Sequence, residues 1–128
     1  MKIVGTGSCL PQRVVSNDDL AAIMDTSDEW ISSRTGIRNR HIATTETTTS
    51  LACDAVKSAL QDAGIDGSEI ELIIAASVST DKIVPSLACQ IQAEIGAEGA
   101  VAFDINAACS GFLFGLATAD AYFKTGRV

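Results

Sequence analysis

The hydrophobic positions along the chain follow two rhythms. Leu51, Ala52, Ala55, Val56, Ala59 and Leu60 fall at helical spacing and, with Gly64 as a stop, predict a helix over about 49–63. The near-continuous apolar run 70–76 predicts a central parallel strand. Ser86, just after Pro85, is placed to cap a helix over 87–95 that ends at Gly96. A last strand is expected over 100–106, followed by a helix that opens at Cys109 and continues to about Lys124.

The first third of the chain is more polar and punctuated. Residues 2–7 read as a short strand closed by Gly5, Gly7 and Pro11. Asn17 is expected to cap a helix with Asp18 and Asp19 in its first turn and Leu20, Ile23 and Met24 as its apolar stripe. Thr26 and Glu29 have capping-box spacing, which predicts a short helix stopping near Gly36 with Trp30 and Arg34 on one face. The Thr-rich stretch 44–50 reads as a loop. The expected order is β-α-α-α-β-α-β-α, with crossovers long enough for parallel pairing: an α/β fold whose sheet is mixed but mostly parallel, under covering helices.

Composition narrows the functional classes. With 128 residues, 47% apolar and 20% charged, the chain is a globular domain or part of one. A net charge of −7 argues against nucleic acid, which wants clustered Lys and Arg. No secretory signal opens the sequence, and no apolar run is long enough to span a membrane. Cys9, Cys53, Cys89 and Cys109 show no C-x-x-C pairing, so neither a metal site nor a disulfide framework is expected. Free thiols and a cytoplasmic location are the expectation.

Two places carry candidate chemistry. Cys109 sits where a strand end meets a helix start, a position that favours an anion and raises the thiolate population. Strand carboxyl ends are also where open α/β sheets bind ligands. From position alone a buried packing thiol is the commoner occupant, since free cysteine is usually a small hydrophobe. The second place is Trp30 with Arg34, near Arg38 and Arg40 in an otherwise acidic chain. An aromatic plane with fixed guanidiniums can bind a base and its phosphates, although ordinary half-buried packing uses the same pair.

Three stretches, TSDEWISSRTGIRNRH, VPSLACQIQAEIG and AFDINAACSGFLFGL, closely resemble the β-ketoacyl-acyl-carrier-protein synthase III family, and the resemblance runs from IVGTGSCLP to the end. It implies a thiolase-like fold of which residues 1–128 are the N-terminal portion, an incomplete N-terminal half. It implies an acyltransferase of fatty-acid initiation in which Cys109 accepts an acyl group from acyl-CoA. Decarboxylative condensation with malonyl-acyl-carrier protein then gives a 3-ketoacyl product. By the same resemblance Trp30 stacks on the adenine of CoA, Thr26 hydrogen-bonds the base and Arg34 contacts the nucleotide end, while the Cys109 N–H is one oxyanion donor. Acyl-CoA is then substrate, no cofactor or metal is implied, and the full-length form is a homodimer.

Two departures qualify that picture. The position before Pro85, which in the family closes the partner's acyl pocket, is Val84 here where acetyl-selective members carry Phe; a roomier pocket for branched or longer primers is expected. The family's catalytic His and Asn belong to the second half of the fold, and His41, within RTGIRNRH, reads as structural. Gly126-Arg127-Val128 reads as a helix stop and the start of a further strand, so the fold is expected to continue. The chain alone is expected not to condense. The alternatives are one chain of a split ketosynthase and a non-catalytic CoA- or acyl-binding module.

Overall fold

The computed structural model describes residues 2–128, which form two compact units. Leu10–Glu46 is one; the stretch up to Cys9 together with Thr47–Val128 is the other.

In the smaller unit, β1 (Arg13–Ser16) pairs antiparallel with β2 (Asn39–Ile42), with Arg13 opposite Ile42 and Ser16 opposite Asn39. Neither strand is legible in the sequence, because each has only four residues and polar side chains blur the alternation. Between them lie α1 (Asn17–Ala21) and α2 (Asp28–Thr35). Both expected caps move by one residue. Ser16, not Asn17, caps α1, exchanging a capping box with Asp19; Ser27, not Thr26, caps α2 by accepting the Trp30 N–H.

Asn17 is used differently. Among the described residues it is the largest fully buried side chain, 1% exposed. Its Nδ2 donates to Asp28 Oδ1 at 2.7 Å and to the Ile37 carbonyl at 2.8 Å, while its Oδ1 accepts from Arg40. Every polar atom of the amide is therefore partnered, which is the condition for burying it. This knot joins α1, α2 and β2.

In the larger unit, α3 (Thr48–Ala63) precedes β3 (Leu72–Ala76), α4 (Leu87–Ile95), β4 (Val101–Ile105) and α5 (Gly111–Lys124). Strands β3 and β4 are parallel, Leu72 opposite Val101 and Ala76 opposite Ile105. Period-two alternation sends Ile73 and Ala75 into a core shared with Cys53 of α3, with Leu87, Ala88 and Ile91 of α4, and with Ala97. The other face of β3 meets α5: a Cβ on Gly111 would stand 3.0 Å from Ala76 Cβ, and one on Gly115 would be 3.9 Å from Ile74 Cγ2. Helices cover both faces of β3, which is why its sequence is apolar at every position.

Residues 2–7 are not a strand. They lie along α3, where the Thr6 N–H donates to Asp62 at 2.9 Å. A Cβ on Gly7 would fall 2.1 Å from the Ala55 carbonyl oxygen, so only glycine fits that approach. The apolar pattern predicted a strand, but a strand needs a ladder partner, and β3 and β4 pair only with each other among the described residues.

Candidate active site

Cys109 lies in a single 3₁₀ turn, Ala108–Ser110, between the end of β4 and α5. The α-helix opens at Gly111, two residues later than the sequence pattern predicts. The turn is tight for two reasons. Ala108 has φ +44°, a left-handed conformation that costs a non-glycine residue about 1–2 kcal/mol. Gly111 is buried against Ala76, where a side chain would push the helix start away from β3. The outcome is an exposed thiol at the carboxyl end of a parallel strand.

The other thiols differ from it. Cys53 is buried in the core, where burial above all, and the nearby Glu94 charge after it, push its thiol pKa up. Cys9 and Cys89 are partly buried, and all four cysteines are free. Exposure separates Cys109 from the other three.

In the smaller unit, the Arg34 guanidinium lies over the Trp30 ring, 4.6 Å from its centroid, and the indole remains 55% exposed. One turn of α2 brings them together, as i and i+4 positions must. Arg34 also reaches the Trp30 carbonyl at 3.4 Å. The neighbouring arginines are engaged otherwise: Arg38 pairs with Asp28 at 3.3 Å, and Arg40 donates to the Val15 carbonyl and to Asn17. The charge cluster seen in the sequence therefore resolves into two structural arginines and one presented beside an aromatic face. Thr26 is half-buried just ahead of the Ser27 cap. His41 is held through Nδ1 by the Pro11 carbonyl at 2.6 Å, in keeping with a structural role.

Val84 is 83% exposed on the loop joining β3 to α4, next to Ile83 at 92%, and precedes a cis Val84–Pro85 bond. Among the described residues, no three His, Cys, Asp or Glu side chains gather closely enough to hold a metal ion, and no helix is long and apolar enough to cross a membrane. Sequence reasoning missed Ala108, because alanine carries no signal for a positive φ; the run of small residues in NAACSG is the only hint that a tight turn stands there.

A thiol-bearing turn after a parallel strand, with helices packed on both faces of β3, is an α/β arrangement, and the solved structures it superposes on show its class to be thiolase-like. Among solved structures, 3-oxoacyl-[acyl-carrier-protein] synthase III from Aquifex aeolicus superposes with a TM-score of 0.94 at 51% identity, over 98% of this chain and 41% of that one. The priming β-ketosynthase of the R1128 polyketide pathway gives 0.90 at 38% identity, over 94% and 36%. The family model for 3-oxoacyl-[acyl-carrier-protein (ACP)] synthase III matches residues 103–128, which contain Cys109. A curated relative, β-ketoacyl-[acyl-carrier-protein] synthase III of Streptococcus sanguinis, is 52% identical over 126 residues, which is 98% of this chain and 39% of that protein. The chain belongs to the ketoacyl-acyl-carrier-protein synthase III family, and it spans about two-fifths of the length of the curated relatives it matches.

Proposed function

We propose that this chain carries the nucleophile and the nucleotide-binding side chains of a condensing acyltransferase that starts fatty-acid synthesis. Cys109 attacks the carbonyl of an acyl-CoA thioester; the tetrahedral oxyanion collapses, the C–S bond to CoA breaks, and CoA leaves as its thiol. An acyl-Cys109 thioester remains. The Cys109 N–H is one donor to that oxyanion. Trp30 stacks on the adenine, Arg34 meets the phosphates at the nucleotide end, and Thr26 hydrogen-bonds the base. Malonyl-acyl-carrier protein, after losing CO₂, then takes the acyl group to give a 3-ketoacyl product. That second step needs enolate stabilisation by groups outside these residues, so the chain by itself does not condense and at most acylates Cys109. The full-length enzyme is a homodimer in the cytoplasm, and Val84 closes the partner subunit's acyl pocket.

The observation that carries this reading is the exposed thiol on a turn tightened by a left-handed Ala108. Stored backbone strain of this kind clusters at catalytic sites. The test is intact-mass spectrometry before and after incubation with acetyl-CoA, followed by peptide mapping. The expected result is a single acetyl adduct on Cys109 that is lost in Cys109→Ala. Binding of CoA with no adduct on any residue would instead favour a non-catalytic CoA-binding module.

A further inference from the structure

The loop between β3 and α4 is fastened at both ends of its exposed tip, and the fastening runs through the first turn of α3. A helix start leaves four N–H groups without intrahelical partners. In α3 two are taken by one carboxylate from the loop: Thr48 N–H donates to Asp81 Oδ1 at 3.1 Å and Thr49 N–H to Asp81 Oδ2 at 2.7 Å. The other two close a capping box: the Ser50 N–H donates to Thr47 Oγ1 at 3.1 Å and the Thr47 N–H to Ser50 Oγ at 2.9 Å. Asp81 therefore completes the helix start rather than decorating it. These N–H groups, that of Thr49 first, hold its carboxyl below the usual carboxylate range.

Two more bonds fix the flanks. Thr48 Oγ1 donates to the Ser79 carbonyl at 2.9 Å. Gln90 of α4 donates through Nε2 to the Pro85 carbonyl at 3.1 Å, and its Oε1 accepts from Thr49 Oγ1 at 3.3 Å. Ser79, Asp81 and Pro85 are thus all held by Thr48, Thr49 and Gln90, and no hydrogen bond reaches residues 82–84 among the described residues. What is left between the fastenings is an apolar tip, Ile83 and Val84, turned out to solvent. A tip restrained on both sides before it is buried loses little conformational freedom when it enters a pocket.

We propose that Asp81 and Gln90 are positioning residues that set the reach of Val84, and through it the size of acyl primer that is accepted. The proposal rests on the reading that Val84 closes an acyl pocket. It assigns the control of specificity to two side chains that touch no substrate.

The test compares isobutyryl-CoA with acetyl-CoA as acyl donors to Cys109, measured as initial acylation rates by mass spectrometry. Hydrogen exchange across 47–51 is followed in parallel. Asp81→Ala and Gln90→Leu should each raise the isobutyryl-to-acetyl rate ratio at least threefold, and Asp81→Ala should speed exchange of the Thr48 and Thr49 amides that it leaves unpaired at least tenfold. Exchange in β3 should stay unchanged, which serves as the control for folding. Asp81→Asn, which keeps one acceptor oxygen for two N–H donors, should give a ratio between those of the parent and Asp81→Ala. Val84→Phe should move the ratio the opposite way, towards acetyl.

If Val84→Phe shifts the ratio while Asp81→Ala and Gln90→Leu change only the total rate, the positioning role is wrong and the pocket reading stands. If none of the three shifts the ratio, Val84 does not face the acyl group and both fall. A chain that takes no acyl group from either thioester removes the acylation reading and this proposal with it.

Discussion

The carboxylate of Asp104, on β4, accepts the Leu87 N–H of α4 at 2.9 Å. Its second oxygen takes the Ala88 N–H at 2.8 Å, so a strand residue caps a helix that begins seventeen positions earlier in the chain. Ser86 caps the same helix locally, through the Cys89 N–H. The two caps divide the work. Ser86 defines where α4 starts, and Asp104 ties that start to the sheet beside the strand that leads into Cys109. Hydrogen bonds to a charged acceptor contribute about 1.5–3 kcal/mol each to stability when one partner is removed. Asp104→Ala is therefore expected to destabilise the larger unit by about 2–4 kcal/mol, read as a lower urea midpoint. A change below about 0.5 kcal/mol, the range of ordinary surface substitutions, would mean that Ser86 alone suffices.

Trp30 is the chain's single tryptophan, so its fluorescence reports the proposed nucleotide contact directly. CoA should quench and shift that emission. Arg34→Ala should weaken CoA binding at least fivefold while leaving stability nearly unchanged, since an exposed cation–π pair is worth only about 0.5–1 kcal/mol. Arg38→Ala, which breaks an ion pair with Asp28, should leave CoA affinity alone. Equal losses from both variants would show a general charge effect rather than a site.

Thiol labelling should follow burial. With a small alkylating reagent at neutral pH, peptide mapping should find Cys109 modified first and Cys53 last, the latter being both covered and raised in pKa by its burial. Ala108→Gly, which accepts the positive φ freely, should make the protein more stable by about 1 kcal/mol or less. If Cys53 reacted as fast as Cys109, the larger unit would be opening on the labelling timescale.

Glu46 gives a pH signature in the smaller unit. N–H groups of Thr44, Gln12, Glu46 itself and Thr45 hold its carboxyl down to about 2. A folded value below the unfolded one means that the carboxylate stabilises the fold above the ordinary glutamate range. That contribution is lost as pH falls from about 4.5 towards 2. The stability difference between the parent and Glu46→Gln should be full at pH 6 and shrink through this window. A difference that stays constant down to pH 2 would show that the charge does not matter.

The long elements were legible because their signals are local and repeated. Helical spacing and a terminal glycine mark α3 and α4, and Gly64 and Gly96 indeed adopt φ of 68° and 72°. The caps of α1 and α2 were off by one because two cap-competent residues stand side by side in each case. At Asn17 the choice was made by Asp28, Ile37 and Arg40, none of which is close in sequence. The strand expected over 2–7 failed for the converse reason: its pattern was right, but no ladder partner for it stands among the described residues. The candidate residues of each unit behaved similarly. Cys109, Trp30 and Arg34 were visible as residue types at telling positions, whereas the strain at Ala108 and the grip of Asp81 on Thr48 and Thr49 arise only once the chain has folded.

Helix α3 serves three clients from three separate faces and ends. Its first turn holds Asp81, its inner face supplies Cys53 to the core, and its flank receives Gly5 and Gly7 at Ala55 and Ala59. Each docking depends on angular phase, and one added residue would turn everything after it by roughly 100°. A single-codon insertion near Lys57 would keep the first-turn grip intact while swinging Ala59, Asp62 and Ala63 away from the first residues of the chain. Helix length here acts as a gear ratio: the number of residues between the first turn and Ala59 sets which of these dockings meet their partners.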